Sequence, residues 1–500
     1  MTLDRRDLLR AGLLAGGALA LPAGVAAPAF ARARPAITHG VQAGEVTGGG
    51  ALVWTRADRP SRMLVDYGTR PDFRGHRTVR GPWLSPGTDL TGKVALRGLP
   101  DGRRIHYRVR LDDGRVTSAP ETGSFATAPR RGQDVRFVWG GDLAGQGWGI
   151  NEDFGGYRIF NAMADVNPDF FLCSGDWVYA DGPLAETVAL PDGTVWKNVL
   201  IDEKAKVAET LAEYRGQFRY NLMDANLRAF NARVPIVYQW DDHEVTNNWY
   251  PGEILDDARY TEKNVDVLTA RARRAIDEYL PIDLDKPLYR KVSYGPLLDV
   301  FVLDMRSYKN KNTPNLETDG RGLLGAEQKR WLTRELRRSK ATWKVIANDL
   351  PVGLIVPDGT AQEGVGNTDS GLPLGREREI AEVLRDAYRN DVTGIVFLTA
   401  DVHYTAAHYY DPAKASFKDF APFWEFVAGP LNAGTFGPNT LDGTFGPTQE
   451  FFKAGPRANA SPAEGAQFFG EVEIDSRSKA FTVRLRDLDN KVLYTKTLTA

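Results

Sequence analysis

From about residue 35 to 128 the chain runs in short β-rich or alternating stretches, "ALVWTRAD", "SRMLVDYG", "KVALRGLP", "RIHYRVRLDDG" and "SAPETGSFATAP", separated by Gly, Pro and Asp clusters. Runs of this length with such punctuation predict strands and tight turns. Beyond the linker "ATAPRRGQD" the pattern changes. Four runs are apolar nearly throughout, "DVRFVWGGD", "PDFFLCSGD", "RVPIVYQWDDHE" and "VTGIVFLTADVH", and predict strands buried on both faces. Between and around them lie helix-period stretches: "GYRIFNAMADV", "LAEYRGQFRYNLMDANLRAFNA", "NVDVLTARARRAIDEYL", "GAEQKRWLTRELRRS" and "REREIAEVLRDAYRN". Strand–helix alternation means a mostly parallel or mixed sheet covered by helices, an α/β (α+β) chain. The pattern divides it into a leader over 1–33, an N-terminal β-sandwich over 34–128 and a larger domain over 129–500. In the β-sandwich, the stretch ending at "SFATAP" looks like the end of a fibronectin-type domain, with Tyr107 entering a core strand.

Each of the four apolar strands finishes in a carboxylate: Asp142, Asp176, Asp242 and Asp401. The crevice beyond the carboxyl ends of strands is where α/β folds bind ligands. If the four strands are neighbours, their carboxylates converge on one end of the sheet, and so many close negative charges cannot all stay ionised unaided. One or two metal ions resolve the conflict, with His403 and Tyr179 as further ligand types. Asp401 and His403, two apart, share one side of an extended chain. Oxygen-rich ligand sets favour Ca, Mn, Mg or ferric iron over soft copper. A polar turn or helix N-cap explains any one of these residues, but not their recurrence at four strand ends.

Composition narrows the partners. The 500 residues are 42% hydrophobic and 26% charged with a net charge of −2, which gives no basic surface for nucleic acid and points to small molecules. Cys173 is the sole cysteine, so no internal disulfide forms, and it reads as a buried core thiol. His39, His76 and His106 have no carboxylate spacing to make a metal site and read as surface or strand histidines. The leader carries Arg5 and Arg6, then a mild Ala/Gly/Leu stretch broken by Pro22 and Pro28 and ending in small residues. It resembles a twin-arginine export signal and is too weakly apolar for a stable membrane span. Export by the twin-arginine machinery moves folded proteins, which suits a metalloenzyme loaded before export.

The ordered set GD, SGDxxYAD, YRxxFRYN, DDHEVTNNW and LTADVH, following a β-sandwich and a twin-arginine leader, resembles the alkaline phosphatase D (PhoD-like) family of calcineurin-like metallophosphoesterases. Within it the chain is similar to the branch containing secreted metal-dependent phospholipase D enzymes. The resemblance covers nearly the whole chain. It implies a metallophosphoesterase β-sandwich core flanked by helices, and a secreted or periplasmic hydrolase of phosphate monoesters or diesters acting through a metal-activated hydroxide. It further implies two or more ions, Fe3+ with Ca2+ or Mn2+. Asp176 then bridges the ions, Tyr179 binds ferric iron as phenolate, Asp242 or one of Asn247 and Asn248 holds the second ion, and Asp401 and His403 complete the set. The founding branch has a cysteine ligand after the first strand. Here Asp142 offers oxygen instead, which leaves the metal's identity open.

His243, beside a ligand, is placed to bind the phosphoryl oxygen or to protonate the leaving group. Arg215 and Arg219, four apart on one helical face, can hold phosphate oxygens, with a solvated helix face as the plainer account. Arg306 is a weaker candidate of the same kind, and His408 reads as a support for the site. The stretch "VAGPLNAGTFGPNTLDGTFGPTQEFF" has the Gly and Pro content of a long loop over an active site, and "LPDGTVWKNV" and "EVTNNWYPGEILDD" add aromatic residues near it. The C-terminal stretch reads as a strand pair closing the domain. Two alternatives stand beside the phosphatase: a phospholipase D acting on lipid head groups, and a non-catalytic surface-binding protein whose metal cluster is structural. An unliganded His243 beside the cluster favours an enzyme.

Overall fold

The computed structural model describes residues 33–319 and 322–500. The leader expected over 1–33 lies, except for Ala33, outside the described residues. Strands Val135–Gly140, Phe170–Ser174 and Ile236–Gln239 run parallel and adjacent, with Phe171 paired to both Val138 and Ile236. They form the centre of a nine-stranded sheet. On one side it is extended by the antiparallel strands Phe468–Ile474, Phe481–Asp487 and Val492–Leu498, three strands where the sequence suggested two. On the other side Ile37–Gly44, Gly50–Ala57 and Thr91–Arg97 continue it.

The fourth carboxylate-ending strand, Ile395–Thr399, is not in this sheet. It belongs to a facing seven-stranded sheet, parallel to Trp343–Ala347 and Phe423–Val427, with Leu298–Val302 parallel beyond. The carboxylates therefore meet across the end of a two-sheet sandwich. The reason lies in alternation along each strand. Phe137, Trp139, Leu172 and Val237 point from the first sheet into a core shared with Val300, Val345, Leu398 and Phe426 of the second. Val138, Phe171 and Tyr238 point the other way, into a core with the helices Ile159–Asp165, Leu211–Asn221, Ala225–Asn231 and Val265–Tyr279. Phe301, Ile346 and Phe397 likewise meet the helices Gly325–Arg338 and Glu377–Arg389 on the outer face of the second sheet. Both faces of every central strand are covered, hence the continuous apolar runs.

Two further strands of the N-terminal region, Ile37–Gly44 and Arg77–Leu84, are not visible in the sequence pattern. The pairing of each is interrupted by a register shift, and Arg77–Leu84 is exposed over most of its length, so neither keeps a clean alternation. Arg77–Leu84, Ser61–Gly68, Arg104–Asp112 and Glu121–Ala126 form a four-stranded sheet that packs Met63, Val65, Tyr107 and Val109 against Val41 and Val53. His76 is exposed and His106 half-buried on this small sandwich, and neither joins a cluster of metal-ligand type.

Trp54 sits in this N-terminal region yet belongs to the helix-side core of the larger sheet. It is fully buried and donates its indole N–H to the Glu278 carbonyl at 2.7 Å. Lys93 adds bonds to the Asp277 and Ile282 carbonyls, both 2.7 Å. Among the described residues no helix is long and apolar enough to cross a membrane. Replacing Trp54 by Ala is expected to destabilise the whole of Pro35–Ala500 by about 3–5 kcal/mol, the usual cost of deleting a buried aromatic. Urea denaturation followed by tryptophan fluorescence and by circular dichroism checks this, and both signals should shift together.

Candidate metal centre and active-site cavity

At the strand ends the backbone turns sharply. Asp142, Asp176, Asp401 and His403 all have left-handed φ values, 66°, 51°, 64° and 58°. Asp tolerates this conformation better than most side chains, and such strain concentrates at functional sites. The turns bring two donor triads together: Asp142, Asp176 and His403, and Asp176, Asp242 and His243, each with ligand atoms within 4.8 Å of one another. Asp176 is common to both.

The chemistry of these groups fits metal ions. Both carboxylate oxygens of Asp142 are buried and make no hydrogen bond. Burial first, and the neighbouring carboxylates after it, push the Asp142, Asp176 and Asp401 carboxyls well above their usual range. Ionised, they need cations beside them. His403 gives its Nδ1 proton to the Gly434 carbonyl at 2.6 Å, which fixes the tautomer and leaves the Nε2 lone pair facing Tyr179 Oη at 2.9 Å and Asp142 Oδ1 at 3.6 Å. Burial lowers the His403 pKa to about 4, so the ring is neutral, as a ligand must be. All donors here are oxygen or nitrogen. Cys173 is buried within its strand, and burial raises its thiol pKa well above the usual value, so it contributes no thiolate.

Three residues to which the sequence assigned no role organise the site. Asp181, the second aspartate of "SGDWVYAD", accepts the His243 Nδ1 proton at 2.7 Å and the Asn247 backbone N–H at 2.8 Å. Burial disfavours charge on His243, yet Asp181, Asp242 and Asp176 outweigh it and hold the imidazole well above its usual pKa. Glu244 accepts from the backbone N–H groups of Trp177, Asp176 and Asp241 at 2.8, 3.3 and 2.8 Å and from Tyr238 Oη at 3.0 Å, tying two strand-end loops to each other. Glu363 follows the two-residue strand Ala361–Gln362, outside both large sheets, and is held by Arg306, by Lys309 at 2.9 Å and by Asn312 at 2.6 Å. Asp181 and Glu244 stand inside motifs recognisable in the sequence. Glu363 had no such signal.

Asp176, Asp242, His243, Asn247, Asn248, Glu363, Asp401 and His403 line a cavity of about 630 Å³. Asp142 and Tyr179 join them through His403, and the Tyr179 ring stacks on His243 with centroids 4.3 Å apart. The Asp242 carboxylate accepts from the Asn248 N–H at 2.6 Å, closing the "DHEVTNN" turn. The Gly/Pro-rich loop does reach the cavity, through Phe436, Gly437, Pro438 and Asn439, while its second repeat buries Phe445 in the core behind the second sheet. Trp196 and Trp249, expected near the site, are core residues at 2% and 1% exposure and form no part of the cavity wall. His408 is fully buried in strand Thr405–Tyr410, 3.9 Å from Glu425.

Arg215 and Arg219 do not reach the cavity, which corrects the expectation of a phosphate clamp. Arg215 forks onto Glu278 at 2.5 and 2.7 Å and donates to the Gly87 carbonyl at 2.8 Å. Arg219 is paired with Asp89 at 2.6 Å and with Glu203. Both face the N-terminal sandwich, and their guanidinium groups are already committed to carboxylates. Arg306, by contrast, is completely buried behind the site. Arg215→Ala is expected to lower stability by about 1.5–3 kcal/mol, the range for hydrogen bonds to a charged partner. It should leave kcat and KM within about twofold of wild type, because Arg215 forms no part of the cavity wall. Denaturant melts and steady-state kinetics on one preparation check both halves.

Residues 137–485 match the family model "PhoD-like phosphatase", and residues 24–129 match "PhoD-like phosphatase, N-terminal domain". Alkaline phosphatase D of Bacillus subtilis (strain 168) is 29% identical over 471 residues, covering 87% of this chain and 77% of that protein. The solved structure of PhoD superposes with a TM-score of 0.68 at 21% identity, covering 93% of this chain and 89% of that one. Purple acid phosphatase PPD1 from yellow lupin (Lupinus luteus) seeds superposes with a TM-score of 0.57 at 13% identity, covering 93% of this chain and 74% of that one. The first match carries a carboxylate-lined, metal-fitting centre across the end of its two-sheet core, and the chain therefore belongs to the PhoD-like phosphatase family and is a metal-dependent hydrolase of phosphoric ester bonds.

Proposed function

We propose that the chain is an exported phosphoesterase that prefers phosphodiesters to monoesters and works with a ferric ion and a calcium-like or manganese-like ion. The observation that carries the reading is Asp176, which meets Asp142 and His403 on one side and Asp242 and His243 on the other. Two ions held by such a pair supply Lewis acidity towards the phosphoryl oxygens and a water of lowered pKa. Asp142, Tyr179 and His403 are assigned to the ferric position, and the Tyr179 phenol, buried against Asp176 and Asp142, ionises only against a strong cation. Asp242, with Asn247 or Asn248 and Asp401, is assigned to the second position. His243, its Nδ1 engaged by Asp181, keeps Nε2 for the leaving oxygen and gives it a proton.

The preference for diesters rests on charge. The cavity wall carries four carboxylates, Asp176, Asp242, Glu363 and Asp401, against two imidazoles, His243 and His403, and no Lys or Arg. With Asp176, Asp242 and Asp401 committed to metal, the wall offers the second charge of a dianionic monoester no cation beyond the ions themselves and His243, whereas a monoanionic diester needs none. Val356, Pro357, Val402, Phe436 and Pro438 give the same cavity an apolar wall for one ester arm, which favours a phospholipid head group as the second reading. Assays on bis-nitrophenyl phosphate, nitrophenyl phosphate and phosphatidylcholine vesicles separate the three, each repeated after chelation. A higher kcat/KM on the monoester than on the diester would overturn the preference, and release of choline from vesicles would establish the second reading.

Asp176→Asn is expected to remove one or both metal equivalents and nearly all hydrolysis while the fold stands, as read by elemental analysis and circular dichroism; a fully loaded, active variant sinks the bridging assignment. His243→Ala should keep its metal and lose about two to four orders of magnitude in kcat, the usual share of a general acid. The loss should be smaller for a nitrophenolate leaving group, which departs without a proton, than for an alkoxide. Loss of metal in that variant makes His243 a ligand instead. Export is assigned to Arg5 and Arg6, and replacing both by Lys should leave precursor in the cytoplasm; unimpaired appearance outside the cell removes the twin-arginine reading.

A further inference from the structure

Arg306 follows strand Leu298–Val302 of the second sheet and is 0% exposed. Its guanidinium contacts Asp241, Asp349 at 3.0 Å and Glu363, which ring it on three sides. Nη2 faces the metal centre, 3.6 Å from Asp401 Oδ1 and 4.0 Å from Asp242 Oδ1. Arg306 itself does not line the cavity, so it cannot hold a substrate phosphate. Lys309 extends the positive charge, bridging Glu363 at 2.9 Å and the Asn248 carbonyl at 3.3 Å. Every cation in this group lies on the Asp242–Asp401 side. No Lys or Arg pairs with Asp142 or Asp176 among the described residues.

We propose that Arg306 is a positioning residue, a permanent internal cation that pairs with Asp241, Asp349 and Glu363 and so holds Asp242 and Asp401 in place for one of the two ions only. Its charge sets a division of labour within the carboxylate cluster. Asp241, Asp349 and Glu363 each contact a cation of the protein, whereas Asp142 and Asp176 contact no Lys or Arg among the described residues and are left to metal. The guanidinium suits the task because it stays charged when buried and offers planar, forked contacts to several carboxylates at once. A buried charged group of this kind costs desolvation energy that only good geometry repays, so its presence beside the centre calls for such a function. The proposal rests on the ligand assignment above.

The test compares wild type, Arg306→Gln and Arg306→Lys after removal of metal with chelator, titrating Ca2+ or Mn2+ and Fe3+ separately by calorimetry and counting bound equivalents by elemental analysis. In Arg306→Gln the Ca2+ or Mn2+ equivalent should bind at least tenfold more weakly, about 1.4 kcal/mol, while the ferric equivalent changes by less than about twofold. Arg306→Lys, which keeps the charge without the fork, should recover part of the loss. Equal weakening of both equivalents, or none, overturns the proposal. Failure of both variants to fold, read by circular dichroism, also overturns it in favour of a purely structural role. A wild-type protein that binds neither ion refutes the ligand assignment instead, so the two failures are distinguishable.

Discussion

Crowded carboxylates at the end of the sandwich set the terms for everything around them. Asp142, Asp176, Asp241, Asp242, Asp349, Glu363 and Asp401 are all buried or nearly so, and most come from the C-terminal ends of strands. Two like charges 4 Å apart repel by about 4 kcal/mol at an effective dielectric near 20. A few such pairs would consume the 5–15 kcal/mol that typically separates a folded domain from its unfolded chain. The fold answers on one side with Arg306 and Lys309, fixed cations of its own. On the other side, around Asp142 and Asp176, it supplies no Lys or Arg among the described residues, only the His243 imidazole, and that is where the donor geometry suits metal.

Holding these charges in register requires strands that cannot shift. Each central strand is clamped between two cores, one shared between the sheets and one shared with helices, so a slip by one residue would exchange both faces at once. The loops beyond the strands are fixed in turn by buried acceptors. Glu244 collects donors from two strand-end loops, and burial brings its pKa to about 7. Asp181 does the same for His243 and the Asn247 turn. The chemistry of the centre is thus built by a rigid frame and a small number of carboxylates that never face the substrate.

The N-terminal region contributes to the same frame. Its strands extend the sheet that bears Asp142, Asp176 and Asp242, and Trp54 fills the core beneath the helices. The "YRGQFRYN" motif belongs to this junction. Arg215 and Arg219 join the helix Leu211–Asn221 to the Gly87–Asp89 turn and to Glu278 and Glu203, so a pair of arginines that reads as phosphate-binding serves packing. Spacing on one helical face was legible; which way that face pointed was not.

The strands, the helices and the carboxylates at the strand ends were written in local patterns, because two-face burial leaves continuous apolar runs and a strand's last residues follow directly from where the run stops. Tyr107 in a core strand and Cys173 as a buried thiol follow from the same reasoning, and both are fully buried. What the pattern could not carry was partnership between distant segments. That Ile395–Thr399 sits in a second sheet, that Arg306 meets Asp241 and Asp349, and that Glu363 reaches Arg306 from a small hairpin all depend on contacts more than forty residues apart in the chain. The strands Ile37–Gly44 and Arg77–Leu84 escaped notice because register shifts and exposure break their period. Sequence determined which residues could bear charge at a strand end, since that is a matter of local alternation; only the tertiary structure decided which charges face a fixed cation and which are left for metal, since that depends on how two sheets close on each other.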